Sequence, residues 1–172
     1  MIYTAHYSSP VGEFLLAERD GCLTGLWLEG QKYYFNISAK KVTEQETPAL
    51  ALARAWLDRY FAGKAPSPSE LKLSPQGSAF RQLVWEALCR IPYGQVITYG
   101  RIAEEIALHM GRKSMSAQAI GGAVGHNPIS IIIPCHRVVG ANGNLTGYAG
   151  GVDKKLKLLA HEGVDISRFS FP

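Results

Sequence analysis

Hydrophobic and polar positions follow different rhythms in the two parts of the chain. In the first, Ile2 to Ser8 and Glu13 to Glu18 are short extended runs around the turn-rich Ser9-Pro10-Val11-Gly12, a spacing that predicts a β-hairpin. Cys22 to Leu28, following Asp20-Gly21, predicts a third strand. Leu52, Trp56 and Tyr60 then step along one face of a helix predicted over residues 50–61, with Thr47-Pro48 as its start. Residues 63–77 (GKAPSPSELKLSPQG) carry three prolines, two glycines and three serines and predict a linker.

Past the linker the pattern becomes short amphipathic helices. The first runs from Phe80 to Leu88, with Phe80, Leu83, Val84 and Ala87 on one side and Ser78 as N-cap. A second starts after Thr98, carries Ile102 and Ile106, and stops by Gly111. A third opens near Ser114 or Ser116, with Ala117, Ile120, Ala123 and Val124 as its inward stripe. The last two, joined through Gly111, fit a helix-turn-helix. The expected chain is α+β: a small amino-terminal β-sheet plus helix domain over 1–76, then a mainly helical domain over 77–172.

The far face of the third helix is unusual. Gln118, Gly121, Gly122 and Gly125 share one outward sector, although glycine in a helix costs ~1 kcal/mol relative to alanine. Close approach to a bulky partner such as a nucleic-acid groove would explain it. So would tight helix packing inside the domain.

Charge sharpens the division. Residues 1–78 hold 8 Lys/Arg and 8 Asp/Glu, whereas 79–172 hold 10 and 6, so the whole net charge of +4 lies in the second part. A basic bias in one region suits a polyanion partner, and solubility alone accounts for it equally well. Three cysteines without CxxC spacing argue against a disulfide framework or a cysteine-rich zinc site, and point to a reducing, cytoplasmic setting. No run approaches the ~18 apolar residues of a membrane span, and Met1 to Pro10 has no signal-peptide pattern.

Candidate chemistry concentrates in Asn127-Pro-Ile-Ser-Ile-Ile-Ile-Pro-Cys-His-Arg. A thiol is a useful nucleophile near neutral pH only as thiolate, and an imidazole can take its proton. Neighbours on an extended chain point to opposite faces, so coupling Cys135 to His136 needs a bridging water or a tight turn at Pro134. Glu162, after the helix-like Asp153 to His161, is a candidate carboxylate to orient the imidazole. Cys22 and Cys89 are expected to be inert filling. Cys135, His136, His126 and His161 lack zinc spacing.

Pro134-Cys135-His136-Arg137-Val138 resembles the active-site motif of the O6-alkylguanine-DNA alkyltransferases. Phe80 to Tyr99, Ala119-Ile-Gly-Gly-Ala, Asn127-Pro128, Gly147-Tyr148-Ala149-Gly150-Gly151 and Leu159-Ala-His-Glu-Gly163 follow in the family's order. Residues 78–164 match closely, and 1–65 only in outline. The resemblance implies a winged helix-turn-helix and single-turnover DNA repair, with O6-alkylguanine as substrate and O4-alkylthymine as a further candidate. Cys135 would accept the alkyl group irreversibly, His136 act as base through a water, and Glu162 orient it. Asn127 would hold the turn between the recognition helix and an active-site strand. Tyr99 would hydrogen-bond a base flipped through the minor groove. Tyr148, Ala149 and Gly150 would line its pocket. Ser116, Gln118, Gly121, Gly122 and Arg137 would face DNA. No cofactor, metal or membrane is implied. The protein would work as a monomer on double-stranded DNA, binding singly or cooperatively.

One position departs from the pattern. The recognition helix of the family usually carries an arginine that fills the gap left by the flipped nucleotide, and Gln118 stands there. Glutamine is neutral and lacks guanidinium stacking, which implies weaker DNA affinity or slower repair. The alternative, an alkyltransferase-like lesion sensor, lacks the acceptor cysteine that Cys135 supplies here. A papain-like hydrolase gives the glycine face no role, and a transcription factor leaves Cys135-His136 unexplained.

Overall fold

The computed structural model describes residues 1–34, 41–145 and 147–170. They divide into two compact units: Met1–Gln76 with Pro128–Ile132, and Gly77–Asn127 with Ile133–Pro172. The short excursion at Pro128–Ile132 is what a simple two-part reading of the chain lacks.

The first unit is built on β1 (Ile2–Ser9), β2 (Gly12–Arg19), β3 (Cys22–Leu28) and β4 (Val42–Glu44), in the order β3-β2-β1-β4. The first three form an antiparallel meander, and β4 runs parallel to β1. Asp20 and Gly21 both take positive φ, 53° and 80°, which matches the twist a two-residue hairpin turn requires. Helix α1 (Pro48–Phe61) is capped by Thr47, whose hydroxyl accepts from Leu50 N. Its buried face is Leu50, Ala53, Trp56, Leu57 and Tyr60. Leu52, expected inside, is 62% exposed. A four-residue step drifts about 40° per repeat, so a row including Trp56 and Tyr60 leaves the core at its amino-terminal end.

The linker is an ordered edge of the sheet rather than a free connection. Leu23 N donates to Lys72 O (2.9 Å), and Ser74 N donates to Leu23 O (2.8 Å). Trp56 Nε1 also ties Ser67 O to this unit. On the same strand, Leu26 N donates to Pro128 O and Ser130 N to Leu26 O, which seats the excursion.

The second unit holds α2 (Ala79–Cys89), β5 (Ile97–Thr98), α3 (Tyr99–His109), α4 (Ala117–Gly125), β6 (Val138–Val139) and α5 (Val152–His161). Ser78, Thr98 and Ser116 cap α2, α3 and α4 through their hydroxyls. Trp85 is buried on α2 and donates to Ala123 O of α4 at 2.9 Å, whereas Phe80 and Leu83 stay half-buried. In α4, Ile120, Ala123 and Val124 are buried, but Ala117 in the first turn is exposed. Strands β5 and β6 pair in parallel. No helix among the described residues is long and apolar enough to cross a membrane.

Candidate active site

The route into the site is set by Asn127. Its Nδ2 donates to Ile133 O at 2.8 Å, closing the base of the excursion so that the chain leaves and returns at one point. The β-branched run Ile129 to Ile133 is therefore not a strand. Ile131 takes φ of 68°, and Ile132 N turns back to Ser130 O. Cys135–Arg137 then forms a three-residue 3-10 turn after Pro134. Consecutive side chains on such a turn leave its axis about 120° apart, which removes the opposite-face problem of an extended chain.

Cys135 is 5% exposed and His136 fully buried. Burial pushes the Cys135 thiol up. The Asn127 side chain, the Lys155 charge and the backbone N–H groups of Cys135 and His136 oppose it by stabilising the thiolate. His136 Nε2 lies 2.5 Å from Glu162 Oε2. Burial holds the imidazole below its usual value against the pull of that carboxylate. Burial pushes Glu162 up as well, but the hydrogen bonds and charges of His136 and Arg137 outweigh it and hold the carboxyl well below its usual range. The pair therefore rests as ionised Glu162 beside neutral His136. Nε2–H then donates to Glu162, and Nδ1 is the basic atom.

Glu162, C-cap of α5, is bonded on every side. Oε1 accepts from Arg137 Nε (2.8 Å) and Gly94 N (3.0 Å), and Oε2 also accepts from Arg137 Nη2 (3.2 Å). Gly94 has φ of 79°, and a Cβ there would lie 3.1 Å from Glu162 O, so only glycine brings its N–H in freely.

Arg137 needs correction. Expected to face DNA, it is 5% exposed. Nη1 donates to Ile91 O at 2.6 Å, and the guanidinium lies over the Tyr93 ring at 5.7 Å. The 3-10 turn aims it inward, where it serves as counter-ion to Glu162.

Lys155 is a residue the sequence reading missed. It is fully buried on α5, with Nζ 3.5 Å from Gly147 O and 5.8 Å from the Tyr99 ring centroid. Burial lowers its pKa to about 8, with the Cys135 charge acting the other way. The signal was a lysine in the apolar stripe of Val152, Leu158 and Leu159.

Tyr99, the first residue of α3, is half-buried, as are Tyr148, Ala149 and Gly150 in the turn before α5. Ser116, Gln118 and Gly122 are exposed on α4, and Gly121 is partly so. A Cβ built at Gly121, Gly122 or Gly125 meets nothing within 4 Å, so these glycines do not serve internal packing. Cys22 and Cys89 are half-buried free thiols, and burial pushes Cys89 up to about 11. Among the described residues, no cluster of three His, Cys, Asp or Glu side chains could hold a metal.

Two family models match the chain. One described as 6-O-methylguanine DNA methyltransferase, DNA binding domain, covers residues 79–164. The other, described as 6-O-methylguanine DNA methyltransferase, ribonuclease-like domain, covers residues 2–75. A methylated-DNA–protein-cysteine methyltransferase of Haemophilus influenzae is 40% identical over 94% of this chain and 86% of its own length. One of Mycolicibacterium paratuberculosis is 44% identical over 94% and 93%. The crystal structure of Mycobacterium tuberculosis OGT in complex with DNA superposes with a TM-score of 0.80 at 39% identity, covering 97% of this chain and 94% of that one.

Proposed function

Because this chain belongs to the 6-O-methylguanine DNA methyltransferase family, we propose that it repairs alkylated DNA by carrying the alkyl group away on Cys135. Direct transfer from DNA to a protein cysteine is the reaction of an enzyme of this kind, and DNA is its partner. The observation that carries the assignment of residues is one buried thiol beside a histidine that an ionised, fully bonded Glu162 holds in a single tautomer.

His136 Nδ1 takes the Cys135 proton through a water. The Sγ thiolate attacks the alkyl carbon in line, the S–C bond forms as the O6–C bond breaks, and the electron pair stays on guanine. The guanine anion takes up the proton that His136 accepted, and Tyr99 hydrogen-bonds the base. A thioether is not readily hydrolysed, so each molecule acts once. O6 is out of reach inside a duplex, which requires the nucleotide to be extruded into a pocket walled by Tyr148, with backbone from Ala149 and Gly150. The open glycine face of α4 lets the backbone approach the minor groove closely. The protein works as a monomer in the cytoplasm, on the nucleoid when bound.

The test is incubation with a duplex carrying O6-methylguanine, followed by mass spectrometry of the peptide bearing Cys135. One methyl group per molecule on that peptide is expected. Tight binding without transfer would favour the lesion-sensor reading, and methylation elsewhere would overturn the role of Cys135.

Gln118 gives a second expectation. Gln118→Arg should raise DNA affinity or repair rate about tenfold, the effect of roughly 1.4 kcal/mol at the lesion. Equal single-turnover rates and equal dissociation constants for both proteins would show that position 118 does not limit repair.

A further inference from the structure

Between Glu105 and Asp153 lie 47 residues without one carboxylate. This run includes α4, the Cys135 turn and the Tyr148–Gly150 turn. It holds only three Lys or Arg: Arg112, Lys113 and Arg137. Arg137 is buried and neutralised by Glu162. The net field of the segment therefore comes from Arg112 and Lys113, both exposed, and neither joins an ion pair among the described residues. Arg90, by contrast, lies 3.8 Å from Glu105.

The backbone beneath the pair is fixed at both ends. At the end of α3, Gly111 takes φ of 67°. Gly111 N donates to Leu108 O (3.2 Å) and Arg112 N to Ala107 O (2.8 Å), the two bonds of a Schellman motif. At the start of α4, Ser116 Oγ accepts from Gln118 N and Ala119 N at 3.1 and 3.3 Å. Two unneutralised cations thus stand on a pinned turn, immediately before the helix whose outward face is bare glycine. Gln118, on that helix, contributes no charge.

We infer that Arg112 and Lys113 are the backbone-phosphate anchors of this protein on duplex DNA, supplying from the α3–α4 turn the positive charge that Gln118 lacks. The inference rests on the DNA-repair reading above and extends it to two residues outside the chemistry. Anchors of this kind set affinity and position without reading sequence or touching the reacting atoms. Each phosphate neutralised contributes about 0.9 to the slope of log K against log salt.

The experiment is a salt titration of full-length protein with a fluorescent duplex, read by anisotropy, beside alkyl transfer from a free O6-alkylguanine base, which has no phosphate. Arg112→Gln and Lys113→Gln should each flatten the slope by about 0.9, and together by about 1.8. Transfer from the free base should stay at the parent rate, which shows that the fold and the Cys135 centre are intact. An unchanged slope in the double variant overturns the assignment. So does a flattened slope accompanied by an equal loss of free-base transfer, since the turn would then act through the fold. If the parent transfers nothing from either substrate, the repair reading fails, while the slope difference still decides what the two cations bind.

Discussion

Glu162→Gln is expected to slow alkyl transfer by about a hundredfold or more and to destabilise the protein by about 3–5 kcal/mol. The rate falls because a neutral amide no longer fixes the His136 tautomer or stabilises the imidazolium formed as the thiol ionises. Stability falls because the Arg137 guanidinium is left buried without an anion, with Ile91 O and the Tyr93 ring still beside it. The two effects separate in the double variant Glu162→Gln with Arg137→Met. Removing the orphaned cation should restore much of the stability measured by urea unfolding, while the single-turnover rate stays low. Rate and stability recovering together would reduce Glu162 to a structural role. The same carboxylate sets an acid limit. Its folded pKa lies below the unfolded value, so its contribution is complete above the usual carboxylate range near ~4.3 and is lost as pH falls below it.

Much of this was legible in the sequence wherever a local rule governs. Ser78, Thr98 and Thr47 cap helices because the first N–H groups need a partner close in sequence. Asp20-Gly21 turns because the required φ is positive at both residues. The outward glycines of α4 could be placed by angle alone, and the open space around them removes internal packing as their reason.

What could not be read depends on partners distant in sequence. The run from Ile129 to Ile133 has strand composition, but Asn127 bonding to Ile133 O makes it a closed excursion instead. Arg137 is solvent-facing by type, and only the fold brings Glu162 and Ile91 O to it. Gly94 N reaches Glu162 across 68 residues of chain. Periodicity located Lys155 on a helix without saying which way that helix would face. Its burial was nonetheless signalled by its position among Val152, Leu158 and Leu159.

Lys155→Met should make the protein more stable and less active. A fully buried ammonium whose pKa falls from 10.5 to about 8 carries a cost of about 3 kcal/mol below pH 8, and an apolar side chain of similar length removes it. Between pH 8 and 10.5 the unfolded chain holds the lysine proton that the folded one has shed, so parent stability rises with pH there and the advantage of the variant shrinks. Urea midpoints at pH 7 and pH 10 would show the gap closing. Activity should move oppositely, because Lys155 is the cation that offsets the burial of the Cys135 thiolate. Without it the thiol rises further, and transfer at neutral pH should slow about tenfold or more, with the rate recovering at higher pH as the thiol ionises. In the parent, by contrast, deprotonation of Lys155 above pH 8 removes that support. An unchanged pH–rate profile in the variant would uncouple the lysine from the thiol. A stabilised protein with an alkaline-shifted rate would show that the fold bears a buried charge for the sake of one thiolate, used once.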